Sequence, residues 1–264
     1  MNNVLKKYII VLLAITSIFA TYSCEKEIDI DLKSVTPRLV IEGIVKEGEL
    51  ARVRVSQTID FDDNNGYPFL SGAIVKISDD IGNSETLVQN SSGWYVANSL
   101  FGVEERTYNM SVTYEGKEYT SISYMPPQVP LDSVTITKLL FMDYGLPMVN
   151  FQDPKGETNR YYKAVVYING KENVHVKEAT LDTEHFDGFY IKQWIPVFTD
   201  KDEDPIKKGD TISVEFQCID KGVHDFFDTL SQENPNNPTT NIKGGALGYF
   251  AAFTSEKKEV IADW

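Results

Sequence analysis

From residue 38 onward the chain is written in short runs that alternate apolar and polar positions, with turn residues between them at intervals of about ten. Residues 38–45 alternate and then meet Lys46-Glu47-Gly48. Residues 51–59 place Val53, Val55 and Ile59 on one face and Arg52, Arg54 and Ser56 on the other. Runs at 72–78, 85–89, 93–97, 106–114 and 117–124 follow, split by Asp80-Ile81-Gly82-Asn83, Ser91-Ser92-Gly93 and Glu115-Gly116-Lys117. A period of two predicts half-buried strands, and this spacing predicts a β-sandwich. Glu115-Gly116 predicts a tight hairpin, because glycine supplies the positive φ such a turn needs. Trp94 is expected in the core.

Three prolines at 126, 127 and 130 interrupt the pattern. They cannot occupy a central strand and predict a stiff extended linker over 126–130. Strand patterns resume at 133–142, 148–153, 160–170, 189–200 and 211–220. In the segment 221–232, Val223, Phe226, Phe227 and Leu230 fall at helical spacing, which predicts one short helix. The loop after it runs into a last strand at 249–254, and the glycines from 244 to 248 suggest a bulge or close backbone packing rather than a phosphate loop. The fold class is all-β: two β-sandwich domains, 38–125 and 131–264, the second nearer the fibronectin-III or immunoglobulin type and carrying the helix.

The N-terminal 31 residues have a different grammar. Lys6 and Lys7 precede an apolar run over 8–20, and small residues lead to Ser23-Cys24. The run is short for a membrane span, which needs roughly 20 apolar residues, and suits a secretory signal. A cysteine where the cleavage site should end predicts a lipoprotein: residues 1–23 as signal peptide, Cys24 as the lipidated first residue, and 24–37 as an acidic tether carrying Glu25, Glu27, Asp29 and Asp31. Lipid on Cys24 is the expected attachment to the membrane.

Composition changes the picture through charge. Lys and Arg number 25 against 39 Asp and Glu, a formal net charge of −14, which repels nucleic acid and excludes it as a partner. The only other cysteine, Cys218, sits on the apolar face of its strand and reads as a small buried hydrophobe.

Candidate chemistry is sparse. Asp200, Asp202 and Asp204 alternate as oxygen ligands for calcium do, but Pro205 stands where such a loop needs glycine and Thr211 where it needs a bidentate glutamate, so an acidic hairpin tip is the plain alternative. His175, His185 and His224 have no ligand spacing, and no G-x-S-x-G is present. No catalytic residue and no cofactor is expected. Phe61, Tyr67 and Phe69 lie in one loop with glycine and proline, and Trp194 shares a strand with Tyr190. These rings are the candidate contacts for a ligand or partner.

Val40-Ile41-Glu42-Gly43-Ile44-Val45, Ala73-Ile74-Val75-Lys76-Ile77, Gly93-Trp94-Tyr95, 107–112 and Gly116-Lys117-Glu118-Tyr119 resemble the transthyretin-like regulatory domains attached to carboxypeptidases and bacterial surface proteins. Over most of the chain, Phe151-Gln152-Asp153-Pro154, Asn159-Arg160-Tyr161-Tyr162, Gly209-Asp210-Thr211-Ile212, His224-Asp225-Phe226-Phe227, 238–242 and 244–250 resemble the Bacteroidota lipoproteins of the domain of unknown function DUF 4249. That resemblance implies an outer-membrane lipoprotein. The acidic residues just after Cys24 resemble those that lipoproteins of Bacteroidota carry there and imply a surface-export signal, with the protein facing the cell exterior; a plain solvated tether on the periplasmic face is the alternative. The family resemblance further implies a non-enzymatic accessory or binding protein that works with a TonB-dependent receptor on an unknown nutrient ligand. A fimbrial structural lipoprotein is the alternative, and a surface hydrolase the less favoured one.

Overall fold

A computed structural model of the chain describes residues 36–60, 68–138, 144–155, 161–173, 180–197, 206–231 and 237–264. Cys24 with its signal and tether, Phe61, Tyr67, and the acidic run with Asp200, Asp202 and Asp204 lie outside the described residues.

The alternating runs form strands. In the first half these are β1 (Leu39–Lys46), β2 (Leu50–Gln57), β3 (Ile74–Asp79), β4 (Ser84–Thr86), β5 (Val88–Gln89), β6 (Trp94–Phe101), β7 (Thr107–Tyr114) and β8 (Lys117–Tyr124). The second half contributes β9 (Leu131–Lys138), β10 (Gly145–Gln152), β11 (Tyr161–Ile168), β12 (Lys171–Glu172), β13 (Thr180–Asp182), β14 (Tyr190–Trp194) and β15 (Thr211–Ile219). Helix α1 (Lys221–Ser231) and β16 (Leu247–Ile261) complete it. The fold is all-β with this one helix among the described residues.

A nine-stranded sheet in the order β12-β11-β15-β16-β1-β2-β6-β5, with β13 also on β11, forms a common layer. The sheet β4-β3-β7-β8 and the sheet β14-β10-β9 stand apart from it. Three buried clusters are described. Ile41, Val53, Val75, Ile77, Tyr108 and Phe250 belong to the first core, Leu131, Phe151, Tyr162, Val214, Phe216 and Cys218 to the second, and Tyr161, Ile219, Val223, Ala251 and Phe253 form a smaller one under the helix.

The last strand joins the two halves. From Val40↔Leu247 to Lys46↔Phe253 it pairs parallel with β1, and from Cys218↔Thr254 to Thr211↔Ile261 antiparallel with β15. Residues at the start of β16 therefore complete the first core. Between the halves, the proline-rich segment is held: Met125 and Val129 are buried, Thr254 Oγ1 donates to the Pro126 carbonyl at 3.1 Å, and the Val129 N–H meets Cys218 Sγ at 3.3 Å.

Local chemistry explains the turns. Glu115 and Gly116 have φ of 50° and 77°, the pair of positive angles that a two-residue type I′ hairpin needs between β7 and β8. One expectation is overturned by a phase of one residue. Tyr95, not Trp94, points into the core, because successive strand residues face opposite sides. Trp94 lies on the outer face, where the Arg52 guanidinium sits 5.3 Å from its ring centroid.

Candidate functional site

The inward alternation that builds the first core sends Val40, Glu42, Ile44 and Lys46 of β1 and Arg52, Arg54 and Ser56 of β2 to the opposite side of the long sheet. Helix α1 is laid across that side. Its N-terminus is capped by Asp220, whose Oδ1 accepts the Val223 N–H at 2.8 Å. Its apolar stripe, Val223 and Phe226, packs down while Leu230 stays 53% exposed. Tyr249 of β16 lies beneath, 4.9 Å from both the Phe226 and Phe227 rings. A cleft opens on either side of this aromatic group, and Tyr249 lines both.

The cleft toward β11 and β15 encloses about 300 Å³ and is charged. Lys46 Nζ lies 3.1 Å from both Glu215 Oε1 and Glu49 Oε1. Burial works against the Lys46 charge, but the bonds to Glu215 and then Glu49 outweigh it and raise its pKa. Glu215 is likewise penalised by burial and held low by Lys46 and Ser255. Tyr167 donates to Glu215 Oε2 at 3.3 Å, and burial, then Glu215, push its phenol up to about 12. Lys257 lies 3.6 Å over the Tyr167 ring. Lys163 differs: its ammonium sits 4.4 Å over the Phe227 ring and forms no ion pair among the described residues. Burial lowers it to about 8, with Glu172 and Glu215 pulling the other way. A partly buried cation of this kind marks a functional-site candidate on physical grounds.

The second cleft, about 480 Å³, is walled by Val40, Leu247, Phe226, Leu230 and Pro238. Its polar members are Glu42, Arg54, Ser56 and Tyr249. A mostly apolar cavity of several hundred Å³ with a few placed polar groups is the usual form of a small-ligand site. Burial pushes the Tyr249 phenol well up, so it stays a neutral hydrogen-bonding group at physiological pH.

Of the rings expected to make contacts, the described ones, Phe69 and Trp194, lie on different parts of the fold. Trp194 lies on β14, 49% exposed, on the same outward face as Tyr190, with Phe186 and Phe189 exposed just before them. Phe69, also 49% exposed, is bridged to Ser56 beside the long sheet. Its ring covers Gly93 so closely that a Cβ there would lie 2.4 Å from Phe69 Cγ. Among the described residues no three His, Cys, Asp or Glu side chains are grouped to hold a metal. His224 packs against Tyr161 with ring centroids 4.8 Å apart and the planes tilted by 45°.

The alternation in the sequence places Arg52, Arg54 and Ser56 on the polar face and does not say what covers that face. The signal it lacked was long-range: only pairing β16 beside β1 brings α1 and Tyr249 over Glu42 and Arg54. Lys163 was hidden for the same reason.

A family model described as "Domain of unknown function (DUF4249)" matches residues 25–259. No curated protein matches the chain.

Proposed function

The chain belongs to the family of the domain of unknown function DUF4249, and from that premise we propose a lipid-anchored outer-membrane protein of a Bacteroidota cell, its folded part facing the exterior. In this reading it binds a ligand and a partner for a TonB-dependent transporter and catalyses no reaction. The signal pattern ending at Cys24 and the acidic residues behind it support the anchor. The likeness of the first sandwich to transthyretin-like domains suits an extracellular binding module.

The observation that carries the partner role is the exposed aromatic row Phe186, Phe189, Tyr190 and Trp194. Large rings presented together at the surface supply contact area at low entropic cost, and Trp and Tyr dominate binding hot spots. The test is an affinity pull-down of the tagged, detergent-solubilised lipoprotein beside Cys24→Ala and Tyr190→Ala/Trp194→Ala variants. Stoichiometric recovery of a TonB-dependent receptor, lost in the double variant, is expected. Recovery of the chain alone, or of a receptor held equally by the double variant, overturns the reading.

A further inference from the structure

Glu42 and Arg54 occupy directly opposed positions on β1 and β2 and both line the apolar cleft, so their Cβ atoms are about 5 Å apart. Opposite charges placed this way ordinarily pair, yet among the described residues these two side chains form no ion pair and no hydrogen bond with each other. Arg54 Nε is moreover buried and meets no acceptor. A buried donor left open costs as much as its lost hydration, and native proteins rarely keep one without a purpose.

The surroundings say what would satisfy both groups at once. One cleft offers a guanidinium fork suited to a carboxylate, a carboxylate suited to an ammonium, and apolar walls from Phe226, Leu230, Leu247 and Pro238. Tyr249, register partner of Glu42 on its other side, adds a phenol that burial keeps protonated. The charged cleft across Tyr249 lacks this character, because Lys46 and Glu215 there already neutralise each other.

We propose that this cleft binds an apolar α-amino acid: its carboxylate on Arg54, its ammonium on Glu42, and its side chain against the helix and β16. A ligand carrying the two charged groups on one carbon bridges Glu42 and Arg54, as a simple anion or cation cannot. Glu42, without an ion pair among the described residues, also repels a simple anion beside Arg54, which makes the zwitterion the preferred occupant. The assignment rests on the binding role proposed above and supplies its ligand class. Calorimetry on the chain alone involves no transporter, so its failure and that of the pull-down are separate events.

The test titrates the full chain in a nonionic detergent with L-phenylalanine, 3-phenylpropionate and 2-phenylethylamine. The expected result is that L-phenylalanine binds at least tenfold more tightly than either single-charge analogue. Arg54→Met removes at least tenfold of that affinity and leaves 2-phenylethylamine no weaker; Glu42→Gln removes as much and leaves 3-phenylpropionate no weaker. Leu230→Trp, at a half-exposed position on the wall, narrows the cleft without touching either charge and also weakens L-phenylalanine. That variant keeps the proposal open to refutation if Arg54→Met does not fold. Absence of binding by L-phenylalanine, equal binding of the three compounds, or variants that bind as the parent does each overturn it.

Discussion

Ser123 donates its hydroxyl proton to Asp220 Oδ2 at 2.5 Å, tying the final strand of the first sandwich to the residue that caps α1. Both ends of the bond do more than one thing. Asp220 Oδ2 also accepts the Tyr124 N–H at 2.9 Å, and Ser123 Oγ accepts the Ala252 N–H at 2.8 Å. The helix that roofs the two clefts is thus anchored to β8 and β16 through one carboxylate and one hydroxyl. Asp220→Ala removes the cap and opens two further donors, a loss of about 3 kcal/mol from a cap and a charge-assisted bond. Ser123→Ala orphans the buried Ala252 N–H and costs about 2 kcal/mol. Chemical denaturation of the two single variants and the double variant is expected to show a coupling of about 1 kcal/mol; strict additivity would mean that the two residues act separately.

Gly248 sets whether β16 can lie beside β1. Its φ is 96°, and a Cβ there would stand 2.0 Å from the Ile41 carbonyl oxygen. Backbone cannot retreat from that contact without breaking the parallel pairing. Gly248→Ala is expected to lose more than about 3 kcal/mol, combining left-handed strain with the clash, and to lower the melting temperature by about 10 °C. Gly245 is the control. Its φ of 87° carries the same backbone strain, but nothing lies within 4 Å of its Cβ position, so Gly245→Ala should cost only about 1 kcal/mol.

Glu85 gives the first sandwich an acid-sensitive joint. Its carboxylate accepts the Asn98, Ser99 and Leu100 N–H groups at 2.6, 3.0 and 3.0 Å, together with both side chains of Asn98 and Ser99. Burial opposes ionisation, but these donors prevail and hold the pKa at about 2. A depressed carboxylate stabilises the fold above its unfolded pKa near 4.5 and loses that contribution as pH falls toward 2. After allowance for solvent screening the contribution is about 1–2 kcal/mol. Acid unfolding curves should show this loss in the parent and not in Glu85→Gln, which starts lower at pH 7 and converges with the parent near pH 2. Parallel curves would assign the acid sensitivity to other groups.

The strands and the helix were legible because their information is local. Val53 and Val55 against Arg52 and Arg54, Glu115-Gly116 at a turn, and Val223 with Phe226 on one helical face each carry their own signature within a few residues. Trp94 shows where that stops, since a run of Trp-Tyr-Val leaves the phase of alternation open and size alone suggests the wrong ring. The site was largely illegible. Nothing local in the sequence singles out Glu42 or Arg54, and what turns them into the floor of a cleft is a strand two hundred residues downstream of β1 and a helix before it. No pattern within either segment encodes that neighbourhood.

Lys163 offers the sharpest electrostatic prediction. Among the described residues it forms no ion pair, its ammonium sits 4.4 Å over the Phe227 ring, and burial, opposed by Glu172 and Glu215, holds its pKa at about 8 against 10.5 for the free side chain. Between those two values the unfolded chain binds the proton and the folded chain does not, so stability rises with pH across that window. The contribution is complete above about 10.5, is lost as pH falls to about 8, and is flat below. At pH 7 the folded protein therefore carries a desolvated charge whose cation–π contact returns only about 1 kcal/mol. Lys163→Met keeps the unbranched stem and removes the charge, and is expected to stabilise the protein by about 1–2 kcal/mol at pH 7. The decisive quantity is the difference between parent and variant in urea denaturation at pH 7.0, 8.5 and 9.5, because contributions common to both proteins cancel in it. A gap that narrows as pH rises supports a charge held in a dry site; a constant gap would show that Lys163 is hydrated and that the cleft around it is open to solvent.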